Sequence, residues 1–220
     1  MVARALPSVA FAWREWAPRL EKSEPVGSLA TLSAAIEARD PYARGHSSRV
    51  TVFSQAMAKR IGVDTERLAV LRLGALLHDV GKLAVPPAVL LKRGPLTPEE
   101  FDQVRRHPAA GVRMLRSLGA PRDILPSVLH HHERWDGTGY PRGRARERIP
   151  LGARILSVAD SFDAMTSIRP YRTPRRVQDA LEELDRCAGS QFDPELVAVF
   201  AEACGEGELV ALVWQEAAAS

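Results

Sequence analysis

Cysteine is nearly absent from this chain. Cys187 and Cys204 are the only two in 220 residues, and they share no short C-x-x-C spacing. Two are too few for a disulfide framework, so the expected setting is a reducing cytosol. Long apolar runs are missing too: no segment approaches the roughly 18 residues that a membrane span requires. The apolar patch in Met1–Ala12 is short and broken by Pro7, so it is read as a tail or a connection to something upstream rather than a signal peptide. Repeats, low-complexity tracts and convincing strand alternation are also lacking. The net charge is only +3, a mild excess that suits a small anionic ligand as well as nucleic acid and by itself selects neither. No DNA partner is expected.

What is present is helical periodicity around one core. Hydrophobic types make up 45% and charged types 26% of the residues, an ordinary globular balance. Helices are expected over Ser28–Ala38, over His46–Arg60 with Val50, Phe53 and Met57 on one stripe, and from the Asp64 cap to Gly81. Thr97-Pro98-Glu99-Glu100 combines a capping threonine, a first-turn proline and a glutamate three residues after the cap. Further helices are expected at Ala109–Leu118, Arg122–His132 and Leu151–Ile168. Thr173-Pro174 and Asp193-Pro194 read as two more starts. Leu83–Leu96 and Glu133–Pro150, rich in proline and glycine, resist a helix, and loops of that length inside a domain are usually functional or disordered. The expected organisation is all-α: a leading tail or linker helix over 1–27, one compact helical domain over 28–205, and a C-terminal extension over 206–220.

All six histidines lie between His46 and His132. His78-Asp79 closes a leucine-rich helix, where burying both is costly without a partner. A metal ion is one such partner; a polar helix end complementing the dipole is the other reading. His46 falls on the core-facing stripe of its helix, His107 precedes Pro108, and His131-His132 run into the glycine-rich loop. Asp160 sits among Ile155, Val158, Ala159 and Phe162, where an aspartate needs compensation. Each alone fits a hydrogen-bonded core residue. Their concentration in one domain points to metal, and imidazoles with carboxylates and no thiolates point to iron, manganese or zinc.

His78-Asp79 with Lys82 resembles the HD-x-x-K core of the HD superfamily of metal-dependent phosphohydrolases. His131-His132-Glu133 through Gly139-Tyr140-Pro141 resembles the motifs that name its HD-GYP subfamily, and the resemblance runs over about residues 28–205. It implies a helical HD-type domain with a metal centre between helices. His46, His78, Asp79 and Asp160 would hold one divalent ion, and His107, His131 and His132 a second, with Asp79 bridging. The ions would be iron or manganese before zinc, nickel or cobalt. His130 falls outside the motif and is not expected to be a ligand. Tyr42 stands where some members carry an acidic ligand for a third ion, so two ions are expected.

The implied reaction is hydrolysis of cyclic di-GMP by a bridging hydroxide, giving linear pGpG, with onward cleavage to GMP left open. Asp79 and Lys82 would carry the chemistry, with Lys82 beside the scissile phosphate. Asp40, Asp163, Arg169 and Arg172 would contact the ligand, and Tyr140 would pack near it. Two alternatives stay open: another cyclic dinucleotide such as cyclic GMP-AMP, or a non-catalytic signalling adaptor. Arg142, Arg144, Arg146 and Arg148 make the Gly-Tyr-Pro loop basic. That loop would shape substrate entry or dock an acidic partner, such as a diguanylate cyclase domain or an upstream sensor. Trp13 and Trp16 would either meet such a sensor or a second chain in a homodimer, or cap this core.

Overall fold

In the computed structural model the described residues are 45–167 and 173–205, together with Leu32, Ala35, Ile36, Ala38 and Arg39. They form α1 (His46–Arg60), α2 (Thr65–Leu77), α3 (Pro87–Leu90), α4 (Pro98–Arg105), α5 (His107–Ser117), α6 (Leu125–His130), α7 (Leu151–Thr166), α8 (Val177–Arg186) and α9 (Pro194–Gly205). Short 3-10 turns occupy Val80–Ala84, Arg122–Ile124 and Arg146–Arg148. Among the described residues there is no strand, only an isolated bridge between Ala188 and Phe192, and no helix is long and apolar enough to cross a membrane. The class is all-α. Of the first expected helix only the five residues named are described, and all five are helical.

Several helix starts follow from their caps. The Asp64 side chain accepts from the Arg67 N–H at the head of α2. Thr97 and Glu100 form a complete capping box at the head of α4. Asp193 Oδ1 accepts from the Glu195 N–H, 3.0 Å away, where α9 begins. Each bond satisfies a donor that the first helical turn leaves free.

Other expectations need correcting. α2 ends at Leu77 rather than Gly81, because the chain tightens into a 3-10 turn. α5 begins at His107, not Ala109, with Pro108 in its first turn. The single helix expected over Arg122–His132 is a 3-10 turn followed by α6, which opens with Pro126 in its first turn; proline has no N–H to continue the preceding helix. Part of Leu83–Leu96 is helical after all, as α3. Thr173-Pro174 does not start a helix. The Arg175 N–H donates to Met165 O at 2.9 Å, tying that stretch back to α7, and α8 begins only at Val177.

Two apolar clusters flank the region where the histidines meet. One joins α1, α2, α7, α8 and α9 around Phe53, Phe162 and Phe200, whose rings meet edge-on with centroids 4.8–5.9 Å apart. The other joins α2, α5 and α6 through Leu77, Val80, Leu115, Ile124 and Val128. Ile36 belongs to this second cluster, and Arg39 donates to the carbonyls of Leu83 and Val85. Outside both clusters, buried Arg154 in α7 pairs with buried Asp193 and donates to Ile149 O, joining the heads of α7 and α9. Removing one partner of such a pair leaves an uncompensated buried charge.

Gly81 permits the closest approach between these parts. A Cβ there would lie 1.8 Å from His107 O and 2.5 Å from Gly111 N, so the 3-10 turn can rest against α5 only without a side chain. The Gly81→Ala variant is therefore expected to lose about 3 kcal/mol of stability, roughly 6–12 °C in Tm. Thermal unfolding followed by circular dichroism measures it, and an unchanged Tm would contradict the close packing of turn and helix.

Candidate metal centre

The histidines come from different elements but share one local device. His78 follows the last turn of α2, His107 begins α5, and His131 follows α6. In each, Nδ1 lies against the carbonyl oxygen three residues earlier: His78 with Ala75 at 2.7 Å, His107 with Val104 at 2.8 Å, His131 with Val128 at 2.8 Å. A carbonyl only accepts, so each Nδ1 carries the proton and each Nε2 is left as a lone pair. His46, the first residue of α1, follows the same rule by another route. Its Nδ1 donates to Asp163 Oδ2 at 2.7 Å.

These lone pairs face one another. His46 Nε2 and His78 Nε2 are 3.4 Å apart, and His107 Nε2 and His131 Nε2 are 3.3 Å apart. With each Nδ1 proton committed elsewhere, neutral rings set lone pair against lone pair at that distance, and a cation between them relieves the repulsion. The buried carboxylate of Asp79 joins the two sets. Its Oδ2 lies 3.7 Å from His46 Nε2 and 3.5 Å from His78 Nε2, while Oδ1 lies 3.3 Å from His107 Nε2. Two groups of donor atoms close enough to hold one ion each result: His46, His78 and Asp79; and Asp79, His107, His131 and His132. Imidazole nitrogen and carboxylate oxygen suit first-row transition metals, so the donors fit such ions.

Asp160 Oδ1 is 3.4 Å from His46 Nε2. Its side chain is 20% exposed rather than buried as its apolar neighbours suggested, because it faces a cavity of about 320 Å³ that it lines with His131, His132 and Tyr140. Asp163 stands differently from its expected place against a ligand. It is 1% exposed, and its oxygens are taken by His46, by Arg49 Nε at 2.5 Å and by the Ser167 hydroxyl at 3.1 Å. It lies behind His46, not in the cavity. His130 is also turned away, with Nδ1 3.2 Å from Glu133 Oε1. Asp40, Tyr42, Arg169 and Arg172 lie outside the described residues.

Charge is unevenly distributed over this cluster. Burial pushes the Asp79 carboxyl up, but Lys82, His78 and His107 outweigh it and hold the group well below the usual carboxylate range. Lys82 Nζ sits 2.5 Å from Asp79 Oδ2. Burial lowers His78, and it holds His131 and His132 well below 6.5 with help from neighbouring imidazoles. Burial also opposes charge on His46, yet the Asp163 hydrogen bond and the charges of Asp160, Asp163 and Asp79 raise it. Most of the imidazoles are thus held neutral, the form that ligates metal.

The Gly-Tyr-Pro segment is fastened over this cavity by a residue to which the sequence reading gave no role. Buried Glu133 accepts from the Arg142 N–H at 2.8 Å and the Arg144 N–H at 3.0 Å. Trp135 and Asp136 donate from their backbones to Gln191 O and Ser190 O. Gly139 passes so close to Arg134 that a Cβ would lie 2.3 Å from its nitrogen. Tyr140 then stacks on His132, ring centroids 4.9 Å apart. Arg49 was missed as well, although its place one helical turn after His46 was a usable signal.

Comparison with known proteins identifies the family. The HD domain family model matches residues 30–196. The chain is 40% identical over 174 residues to a cyclic di-GMP phosphodiesterase of Thermotoga maritima, covering 78% of this chain and 47% of that protein. It is 38% identical over 168 residues to 3′3′-cGAMP-specific phosphodiesterase 3 of Vibrio cholerae, covering 76% of this chain and 36% of that protein. The chain thus spans less than half the length of these curated relatives. The solved structure of a cyclic GMP-AMP-specific phosphodiesterase from Vibrio cholerae superposes with a TM-score of 0.66 at 19% identity, over 84% of this chain and 50% of that one; at that identity the likeness speaks for the fold. With the His-Asp cluster, the helical architecture and a family match across most of its length, the chain belongs to the HD domain family.

Proposed function

We propose that this chain is a metal-dependent phosphodiesterase that hydrolyses cyclic di-GMP to the linear dinucleotide, with residues 28–205 as the catalytic unit. The observation that carries it is the pair of opposed Nε2 lone-pair sets sharing the two oxygens of Asp79. His46, His78, Asp79 and Asp160 would hold one ion, and Asp79, His107, His131 and His132 would hold the other. Iron or manganese is the expected occupant, since imidazole with carboxylate and open positions suits either. Bound ions at such a site lower the pKa of water and offset charge on phosphate oxygens.

The protein's own groups do the rest. Lys82, one residue beyond a glycine that must pack against α5, keeps its ammonium beside Asp79. There it neutralises charge that grows on the phosphate as the P–O bond to the 3′ oxygen breaks. Asp163 and Arg49 fix the His46 ring, and the three backbone carbonyls fix His78, His107 and His131. Partners of this kind set the tautomer and orientation of a ligating imidazole. Tyr140 covers His132 and limits water at that side of the cavity. No side-chain nucleophile is required: a water oxygen forms the new bond to phosphorus as the bond to the 3′ oxygen breaks, and the departing oxygen takes its proton from solvent. Cyclic GMP-AMP is a second reading, favoured by the Vibrio cholerae relative that carries that substrate in its name.

Anaerobic purification with metal analysis and a cyclic di-GMP hydrolysis assay tests the proposal. Two ions per chain and release of the linear dinucleotide are expected. A stoichiometry of three would overturn the two-ion centre, and turnover of cyclic GMP-AMP alone would move the assignment to the second reading. Asp79→Ala should abolish turnover and lower the metal content. Lys82→Ala should keep both ions while kcat falls about 10²–10³-fold; full activity in either variant would sink these roles.

Acid should destabilise the metal-free protein. His78, His131 and His132 are depressed below 6.5 in the folded chain, so below that pH the unfolded chain binds protons that the folded one refuses, and stability falls. His46 works in the opposite direction: its raised value adds stability that is present below 6.5 and lost as pH rises through its folded value. Three depressed groups outweigh one raised. Tm of the metal-free protein should therefore drop between about pH 7.5 and about pH 5.5, and a constant or rising Tm across that window would refute the neutral cluster.

A further inference from the structure

α4 buries none of its residues, yet it turns two side chains towards the cavity. Phe101 is 46% exposed, one of three large apolar side chains so exposed among the described residues, and it lines the cavity. Its ring meets Tyr140 edge-on, centroids 6.5 Å apart. One turn later Arg105 lies with its guanidinium 5.1 Å from the Tyr140 ring and 5.8 Å from the Phe101 ring. Its carboxylate neighbour, Asp102, is 3.7 Å away and itself 63% exposed, a pairing too solvated to hold the side chain firmly. A half-exposed phenyl ring and a guanidinium held by ring faces rather than by a firm ion pair therefore stand together at the cavity wall. His132 and Asp160 line the same cavity.

We propose that Phe101 and Arg105 form a purine shelf that determines base specificity, with one guanine of the substrate stacked on Phe101 and its O6/N7 edge met by the Arg105 fork. This rests on reading the site as a cyclic dinucleotide phosphodiesterase. Three features support it. Aromatic faces take any base by stacking. A guanidinium fork matches the two acceptors of guanine but meets an amino donor on adenine. The position also suits it, because Tyr140 links the shelf to the cluster, its ring 4.9 Å from that of His132 and 5.1 Å from the Arg105 guanidinium. No phosphate partner is needed to account for Arg105, since Lys82 already stands at Asp79.

The test is steady-state kinetics of the metal-loaded full chain with cyclic di-GMP and with bis(4-nitrophenyl) phosphate, a phosphodiester without a guanine edge. Arg105→Ala is expected to raise KM for cyclic di-GMP roughly tenfold relative to any change with the simple diester, with the loss in KM rather than kcat. Phe101→Ala should raise KM for cyclic di-GMP in the same direction. Arg105→Lys keeps the charge without the fork and should not restore KM. An unchanged KM in Arg105→Ala, an equal rise for both substrates, or full rescue by lysine would each overturn the shelf while leaving the phosphodiesterase reading intact. A wild-type chain that cleaves the simple diester but not cyclic di-GMP would overturn that parent reading, and the shelf with it.

Discussion

Four imidazoles cannot point bare nitrogens at one another inside a protein without something positive between them, and the architecture of this chain is organised around that constraint. Each ring of His46, His78, His107 and His131 has its Nδ1 proton taken by an acceptor outside the cluster. None can relieve the repulsion by changing tautomer without giving up a buried hydrogen bond. Asp79 supplies a negative charge shared by both sets, which favours a cation beside each. A cation between the facing nitrogens would offset that repulsion, whether a metal ion or, at His46, a proton. Helices suit the task because a histidine at a helix end can reach the free carbonyl one turn back, which serves both the helix and the ring.

Holding the cluster together requires the two apolar clusters to meet at short range. Val80 and Leu77 belong to one cluster, while Leu71 and Ala75, on the same helix, belong to the other, so α2 is anchored on both sides just before His78-Asp79. Gly81 then lets the turn that carries Lys82 lie against the start of α5, where His107 emerges. Packing, backbone freedom and electrostatics converge on one segment of the chain. A change there disturbs fold and site together, which is why metal content and melting temperature have to be read alongside activity for variants in this segment.

Much of this was legible in the sequence because it depended on local chemistry. Caps at Asp64, Thr97 and Asp193 were readable from residue type and spacing, and the His-Asp concentration was readable because burying such groups together is so costly. What was not legible depended on tertiary partners. Thr173-Pro174 has every local mark of a helix start, yet a backbone bond from Arg175 to Met165 holds it back. Asp160 looked buried from its neighbours in sequence, but those neighbours point elsewhere while its own side chain reaches the cavity. The family resemblance implied Asp163 as a ligand contact, and only the placement of Arg49 and His46 shows it turned inward. The pairing of Arg154 with Asp193 links positions too far apart for any local pattern to connect.

Glu133 shows how a motif can be read correctly as a string and incompletely as chemistry. It follows two ligand candidates directly, and a third carboxylate beside two neutral imidazoles would ordinarily be counted as a ligand. Its position instead faces away from the cluster, and its oxygens accept the N–H groups of Arg142 and Arg144. Those donors lie in a loop carrying four exposed arginines, Arg142, Arg144, Arg146 and Arg148, whose mutual repulsion would otherwise favour an open conformation. A buried anion at the base of the loop offsets that repulsion and orders the backbone. The same stroke places Tyr140 on His132 and within reach of α4. The carboxylate thereby couples the turn that carries His131 and His132 to the wall of the cavity, because its oxygens are engaged by the loop backbone rather than turned to the histidine cluster.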